Sequence, residues 1–289
     1  HDAHTAALLG AAKLLQENRN MFGGEVRCFF QQAEEVGGGA RLFIEQGLLE
    51  GANRVFGLHV ASNVESGKIA IRSGPVNASV DHFRIHVKGR AAHVSTPHKG
   101  ADALYIASNI VMSLQALATR RIDPLDPVII GVGKMQSGTA YNIVAEDAVL
   151  EGTTRLFSPE TRAFVKSELN RIAKDTAQLY GGTAHIDWAD FTSPLINHQT
   201  AVRETEEIVA NHLGADRLIT DREKSLGGDD MAEYLNSVTG AYAYIGTGSA
   251  AVPGSKLPHH CGDFDIDESA LPIASGLYAS YAVYVLNNV

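Results

Sequence analysis

Residues 143–191, IVAEDAVLEGTTRLFSPETRAFVKSELNRIAKDTAQLYGGTAHIDWADF, decide the fold. Ile143 to Phe157 reads as a strand. Ser158 and Pro159 then mark a helix start, because a serine hydroxyl takes up an orphan backbone N–H and proline's fixed φ suits the first helical position. The helix runs from Pro159 to Tyr180, and Thr183 to Phe191 is a closing strand. Upstream, Asp81 to Gly89 alternates like a strand, Ala101 to Arg121 is a long helix, and Pro127 to Met135 is another strand. The order β-α-β-β-α-β is that of a ferredoxin-like split βαβ unit.

On either side the texture is different. The run AALLGAAKLLQEN sets Ala7, Leu8, Ala11, Ala12 and Leu15 on one helical stripe, with Thr5 as its N-cap. EVRCFFQQA, Glu25 to Ala33, is a β-rich run that stops at Glu34, Glu35 and a glycine string, and Ala40 to Leu49 is a second helix. VFGLHV, Val55 to Val60, is a buried strand ending near His59. After Thr192 come a helix at Ala201–Leu213, a glycine turn at Gly227 and Gly228, a helix at Asp230–Asn236, a strand at Gly240–Ile245 and a closing helix from Glu268. Alternating strands and helices predict an α/β, mostly parallel sheet whose ligand sites collect at the C-terminal strand ends. With a boundary in the turn-rich SGPVNAS at Ser73–Ser79, residues 1–78 and 192–289 form one domain and 79–191 a second inserted into it.

The composition excludes several classes. The 24 Lys+Arg against 33 Asp+Glu give a net charge of −9, so there is no basic field for nucleic acid. No apolar run is read as reaching the roughly 20 residues of a membrane span. Two distant cysteines, Cys28 and Cys261, make no disulfide framework, and the expected location is a reducing cytoplasm. The chain opens on His1 rather than Met, so any upstream targeting segment lies outside it.

The placement of the 12 histidines is informative. His1 and His4 flank Asp2, His59 ends a strand, His93 and His98 sit in GRAAHVSTPH, and His259 and His260 sit in KLPHHCGDFDIDE. Imidazole and carboxylate are the usual ligands of Zn²⁺, Mn²⁺ or Co²⁺. A lone histidine is equally at home on a surface or in a core; only the set points to a metal. Glu34 and Glu35 point opposite ways if the segment is extended, so one can hold a metal while the other takes a proton from water. A solvated acidic pair before a glycine turn is the competing reading.

Six ordered stretches carry a resemblance: HDAHTAALLGAAKLL, FFQQAEEVGGGA, GLHVASNVESGKI, VKGRAAHVSTPHKGADAL, GTAYNIVAEDAVLEGTTR and PHHCGDFDIDESAL. Together they resemble the dinuclear metal-dependent aminoacylase and carboxypeptidase family, in the amidohydrolase branch of hippurate hydrolases and plant indoleacetyl-amino acid hydrolases. The resemblance implies hydrolysis of the amide bond of N-acyl amino acids, with dipeptidase or carboxypeptidase activity, or an inactive carboxylate-binding relative, as alternatives.

It further implies two divalent ions per subunit, Mn, Zn, Co or Ni, held by His1, Glu35, His59 and His260, with Glu34 as general base. His260 matches rather than His259 because it stands four residues before Phe264, as in the family's His-x-x-x-Phe pattern. His93 resembles the histidine that stabilises the tetrahedral oxyanion from a partner subunit, and Asn142 and Arg155 resemble the pair that binds the substrate's carboxylate. The inserted domain is thereby expected to act as lid and homodimer surface. The family's metal-binding cysteine falls two positions before His1, so the expected catalytic domain is N-terminally incomplete. Cys261 and Gly262 stand where the family has Ser-Pro or His-Pro, which alters the loop but not the ligand.

Overall fold

Helix α1 (Asp2–Glu17) starts directly after His1 rather than at Thr5: the Thr5 N–H donates to the His1 carbonyl at 3.2 Å, so Thr5 already lies in the first turn. Ala3, Ala7, Ala11 and Leu15 form its buried stripe. The computed structural model describes all 289 residues, in two compact units. The first comprises His1–Val76, Leu195–Lys224 and Asp229–Val289, and the second comprises Asn77–Pro194 and Ser225–Gly228.

After α1 follow α2 (Gly39–Glu45), β1 (Val55–Glu65), β2 (Ile69–Ala70) and β3 (Gly74–Asn77). The second unit holds β4 (Val80–Lys88), β5 (Ala92–His93), α3 (Ala103–Arg120), β6 (Val128–Ser137), β7 (Ile143–Val144), β8 (Asp147–Leu156), α4 (Pro159–Leu179) and β9 (Thr183–Thr192). The chain then returns through β10 (Leu195–Asn197), α5 (Gln199–Ile208), β11 (Leu218–Ile219), α6 (Met231–Ser237), β12 (Gly240–Gly248) and α7 (Leu271–Asn288).

In the first unit the sheet order is β1-β12-β2-β11. β1 runs parallel to β12, with Val55 opposite Gly240 and His59 opposite Tyr244, and β11 runs parallel to β2. β2 is antiparallel to β12, so the sheet is mixed rather than mostly parallel. The short turn Ser66–Lys68 between β1 and β2 is the reason, since returning a strand in the same direction takes a crossover of about a dozen residues. β12 is buried along its whole length between helices, as its apolar run requires.

Two expectations are corrected here. Glu25–Ala33 belongs to no sheet and makes no ladder with a neighbour. A strand needs a partner as well as a β-prone sequence, and this segment is held by side chains instead. Arg27 Nη1 donates to the carbonyls of Leu48 and Glu50 at 2.8 Å each, and Phe29 packs edge-on against Phe43. Between the segment, β1, α1 and α7 lies a cavity of about 730 Å³. Second, Glu268–Asn288 is long and apolar enough to cross a membrane by length and composition. Its hydroxyls find partners inside the first unit: Ser275 Oγ donates to the Ala7 carbonyl at 2.8 Å, and Tyr278 Oη accepts the Leu58 N–H at 2.9 Å. One face of the helix, with Ala274, Ser275, Leu277, Tyr281 and Val285, is buried in the first unit.

The second unit has an antiparallel sheet of order β6-β8-β4-β9, and its main elements follow the chain order β-α-β-β-α-β. The alternation in β4 buries Phe83, Ile85 and Val87 against α3 and α4, where Ile106, Ile110, Val165 and Leu169 meet them. The opposite face carries His82, Arg84 and His86. Ser158 caps α4 by accepting the Thr161 N–H at 3.1 Å. The single strand expected over Ile143–Phe157 is two, β7 and β8: β7 leaves the main sheet to pair with β5, setting Ile143 opposite His93.

Candidate metal centre

Five histidines and four carboxylates of the first unit converge beside the C-terminal half of β1. His1 is the N-cap of α1, and His4 lies one turn along on the same face, so their rings stand 5.4 Å apart. His59 comes from β1, 4.3 Å from the His4 ring and 6.0 Å from that of His1. The Val60 peptide orients both neighbours. Its carbonyl accepts His59 Nδ1–H at 2.7 Å, leaving His59 Nε2 with its lone pair, and its N–H donates to His4 Nε2 at 3.1 Å. Burial, reinforced by His59, pushes the His4 imidazole down to about 2, so it is neutral.

Glu34 and Glu35 sit on a single 3-10 turn, Glu34–Val36. Ala33 just before it has φ 61°, and His260 has φ 64°; these are the only non-glycine residues in left-handed conformation. Such backbone costs about 1–3 kcal/mol per residue and collects at functional sites. His1 Nε2 lies 3.7 Å from Glu34 Oε2 and 3.7 Å from Glu35 Oε1, and His260 Nε2 also lies 3.7 Å from Glu35 Oε1. These gaps are too long for hydrogen bonds and close to the roughly 3.4 Å that separates two ligands of one tetrahedral ion with bonds near 2.1 Å.

Behind this rim, Asp229 and Asp230 are buried and group with Glu34. Asp229 accepts from Tyr242 Oη and from the Met231 N–H at 2.8 Å; Asp230 accepts from Gln31 Nε2 at 2.9 Å and from the Ala40 N–H at 3.0 Å. Burial, then Asp229, Asp230 and Glu35, push the Glu34 carboxyl up to about 8. The residues fit divalent cations. Carboxylates crowd together, imidazoles present lone pairs, and His259 Nε2, 5.3 Å ring to ring from His59, is buried with no hydrogen-bond partner.

Of the residues expected from the sequence, His1, Glu34, Glu35, His59 and His260 are brought together. Asp2, which stands between His1 and His4 in the chain, lies outside the cluster: its side chain is fully exposed and bonds only its own helix start. His4, Asp229, Asp230 and His259, which the resemblance does not make ligands, join the cluster; the three-residue spacing of His1 and His4 on a helix is the available signal. His93, Asn142 and Arg155 belong to the second unit. There the Ser95 N–H donates to His93 Nδ1 at 3.1 Å, which fixes the hydrogen on Nε2, and the Val94 N–H donates to the Asn142 carbonyl at 3.1 Å. Arg155 is half-buried, which lowers its pKa, and its Nη1 donates to Thr153 Oγ1 and to the Thr154 carbonyl.

A mixed α/β unit bearing this histidine and carboxylate cluster defines a metal-dependent hydrolase. Residues 1–283 match peptidase family M20/M25/M40, and the chain belongs to it. It is 35% identical over its full length to N-acetylcysteine deacetylase of Bacillus subtilis, covering 74% of that protein. It is also 34% identical to thermostable carboxypeptidase 2 of Saccharolobus solfataricus over 99% of this chain and 72% of the other. IAA-amino acid hydrolase ILR1-like 4 of Arabidopsis thaliana is 32% identical over 99% of this chain and 66% of its own length. Among solved structures, a dinuclear metal binding peptidase of the M20 family from Bacillus subtilis superimposes with a TM-score of 0.84 at 32% identity, over all of this chain and 73% of that one. The chain therefore spans about two thirds to three quarters of the length of these relatives.

Proposed function

We propose that this chain hydrolyses the amide bond of N-acyl amino acids, acetyl or aromatic acyl, releasing a carboxylic acid and a free amino acid. The observation that carries the reading is Glu34: a half-buried carboxylate, raised toward neutrality, on the same turn as Glu35 and facing His1. His1, Glu35, His59 and His260 hold two divalent ions of Mn, Zn, Co or Ni. Such ions polarise the scissile carbonyl and lower the pKa of water. Glu34 takes the proton of the attacking water and returns it to the leaving amine, acting first as general base and then as general acid.

The resemblance assigns the remaining roles to residues of the second unit, with His93 acting from a partner subunit. With Nδ1 occupied by Ser95, His93 offers its Nε2–H to the oxyanion, a contribution on the order of 3 kcal/mol for such donors. Arg155 keeps Nε and Nη2 for a planar carboxylate, a role the resemblance gives to Asn142 as well. In this reading the second unit is a lid and homodimer surface inserted into the metal-binding domain. The deacetylase and indoleacetyl-conjugate relatives support an N-acyl substrate, and the carboxypeptidase relative makes a peptide with a free C-terminal carboxylate the second reading. The two free cysteines accord with a reducing compartment, the cytoplasm being the simplest.

The test is amino-acid release from N-acetyl and N-benzoyl amino acids and from peptides, with metal content measured beside it. Metal-loaded protein is expected to turn over the acyl amino acids, and Glu34→Gln to keep its metal while losing about 10²–10⁴-fold in rate. Release from peptides alone would replace the first reading with the second.

A further inference from the structure

The wet face of the β4–β9 pair carries a second cluster of metal-ligating side chains. His86 of β4 and His185 of β9 are directly opposite in the antiparallel register, and their rings stack 4.7 Å apart at an interplanar angle of 7°. Asp187 lies two residues beyond His185, hence on the same face, and its Oδ2 is 3.1 Å from His86 Nε2. One ligand atom from each of the three residues falls within 4.8 Å of the other two.

The neighbouring charges leave the triad intact. Arg84, which faces Asp187 across the register, turns to Glu151 with Nη2–Oε1 at 3.3 Å, and Glu151 also takes Lys134 and faces His82 at 3.8 Å. Lys88 pairs with Glu146 and Asp147 at 3.2 and 3.1 Å. Opposite residues of an antiparallel pair hold their Cβ atoms about 5 Å apart, so two imidazoles there close on one ion by side-chain rotation without moving the strands.

From this cluster we infer a surface site for one borderline transition-metal ion, Zn²⁺, Ni²⁺ or Cu²⁺, held by His86, His185 and Asp187 and completed by water. Two imidazoles and one carboxylate select these ions over Mg²⁺ and Ca²⁺, which prefer all-oxygen shells. The ion would clip β4 to β9, and the site is distinct from the centre around Glu34 and Glu35, sharing no residue with it.

The test is equilibrium dialysis of the whole chain against Zn²⁺, with bound metal per chain counted by elemental analysis for wild type, for His86→Gln/His185→Gln and for His82→Ala. The double variant is expected to hold one Zn²⁺ fewer than wild type, H82A to match wild type, and excess Mg²⁺ to displace none of the difference. As a second readout, Zn²⁺ should raise the thermal unfolding midpoint of wild type more than that of the double variant. Equal Zn²⁺ counts in wild type and double variant overturn the site. Because the readout is a difference between proteins with the same Glu34 centre, that result is separate from any failure of the hydrolase reading.

Discussion

Tyr242 donates its phenolic hydrogen to the buried carboxylate of Asp229, and Asp229 in turn groups with Glu34. Tyr242 lies on β12 and Asp229 just before α6, so the strand that pairs with β1 also sets the charge behind the metal centre. Burial already pushes the Asp229 carboxyl up, and the two donors Tyr242 Oη and Met231 N–H oppose that shift. Tyr242→Phe removes one of them. It is expected to cost about 2 kcal/mol in urea unfolding, the scale of a hydrogen bond to a buried charged group, and to weaken metal binding as Asp229 takes up a proton more readily. Unchanged stability together with unchanged metal affinity would show that the contact is incidental.

The features legible in the sequence are those written in local chemistry. Ser158 before Pro159 is the observed cap of α4, and the alternation from Asp81 onward is the two-faced β4. Pairing was not legible, because it is decided by residues distant in the chain. Nothing local in Ile69–Ala70 announces an antiparallel place beside β12, and Glu25–Ala33 has a strand's composition without a strand's neighbour. The histidines and the Glu34–Glu35 pair that come together at the candidate centre stand out in the sequence. The carboxylates behind it carry no such local mark: Asp229 bonds the start of α6 as a capping residue would, and the same carboxylate also groups with Glu34.

Metal uptake should release protons from Glu34. In the metal-free protein its carboxyl is pushed up to about 8, so it is largely protonated at neutral pH. Cations beside it favour the charged form and expel that proton. Adding Zn²⁺ or Mn²⁺ to metal-free protein in weak buffer with a pH indicator is expected to release about one proton more per chain in wild type than in Glu34→Gln. Equal release would place the titrating group elsewhere.

A buried ion pair in the second unit makes a separate stability prediction. Asp81 has no exposed surface, accepts Arg162 Nη2 at 2.6 Å and Nε at 3.0 Å, and is bonded by Thr154 Oγ1 at 3.1 Å. Arg162→Met leaves that carboxylate poorly paired and is expected to cost about 3–5 kcal/mol, whereas Asp81→Asn/Arg162→Met should recover part of the loss by removing the stranded charge. Urea unfolding of the single and double variants measures the coupling; a double variant no more stable than R162M would contradict it.

Alkaline pH should unfold the first unit through its tyrosines. Tyr281 donates to Glu204 Oε2 at 2.9 Å, Tyr234 to Gln31 Oε1 at 2.6 Å, and Tyr242 to Asp229; burial raises all three phenols above their ordinary value of 10.0, and raises Tyr278 likewise. A folded pKa above the unfolded one means that the native state binds more protons once pH exceeds the unfolded value. The stabilisation is therefore complete below about 10 and is lost as pH rises beyond it. Urea midpoints followed against pH should fall from that point, with phenolate absorbance appearing together with unfolding rather than before it. Tyr281→Phe should make the fall shallower, even though it also removes a partner from the Arg54–Glu204 pair, whose Nη2–Oε1 distance is 2.7 Å. Phenolate absorbance rising in the still-folded protein would contradict burial as the cause.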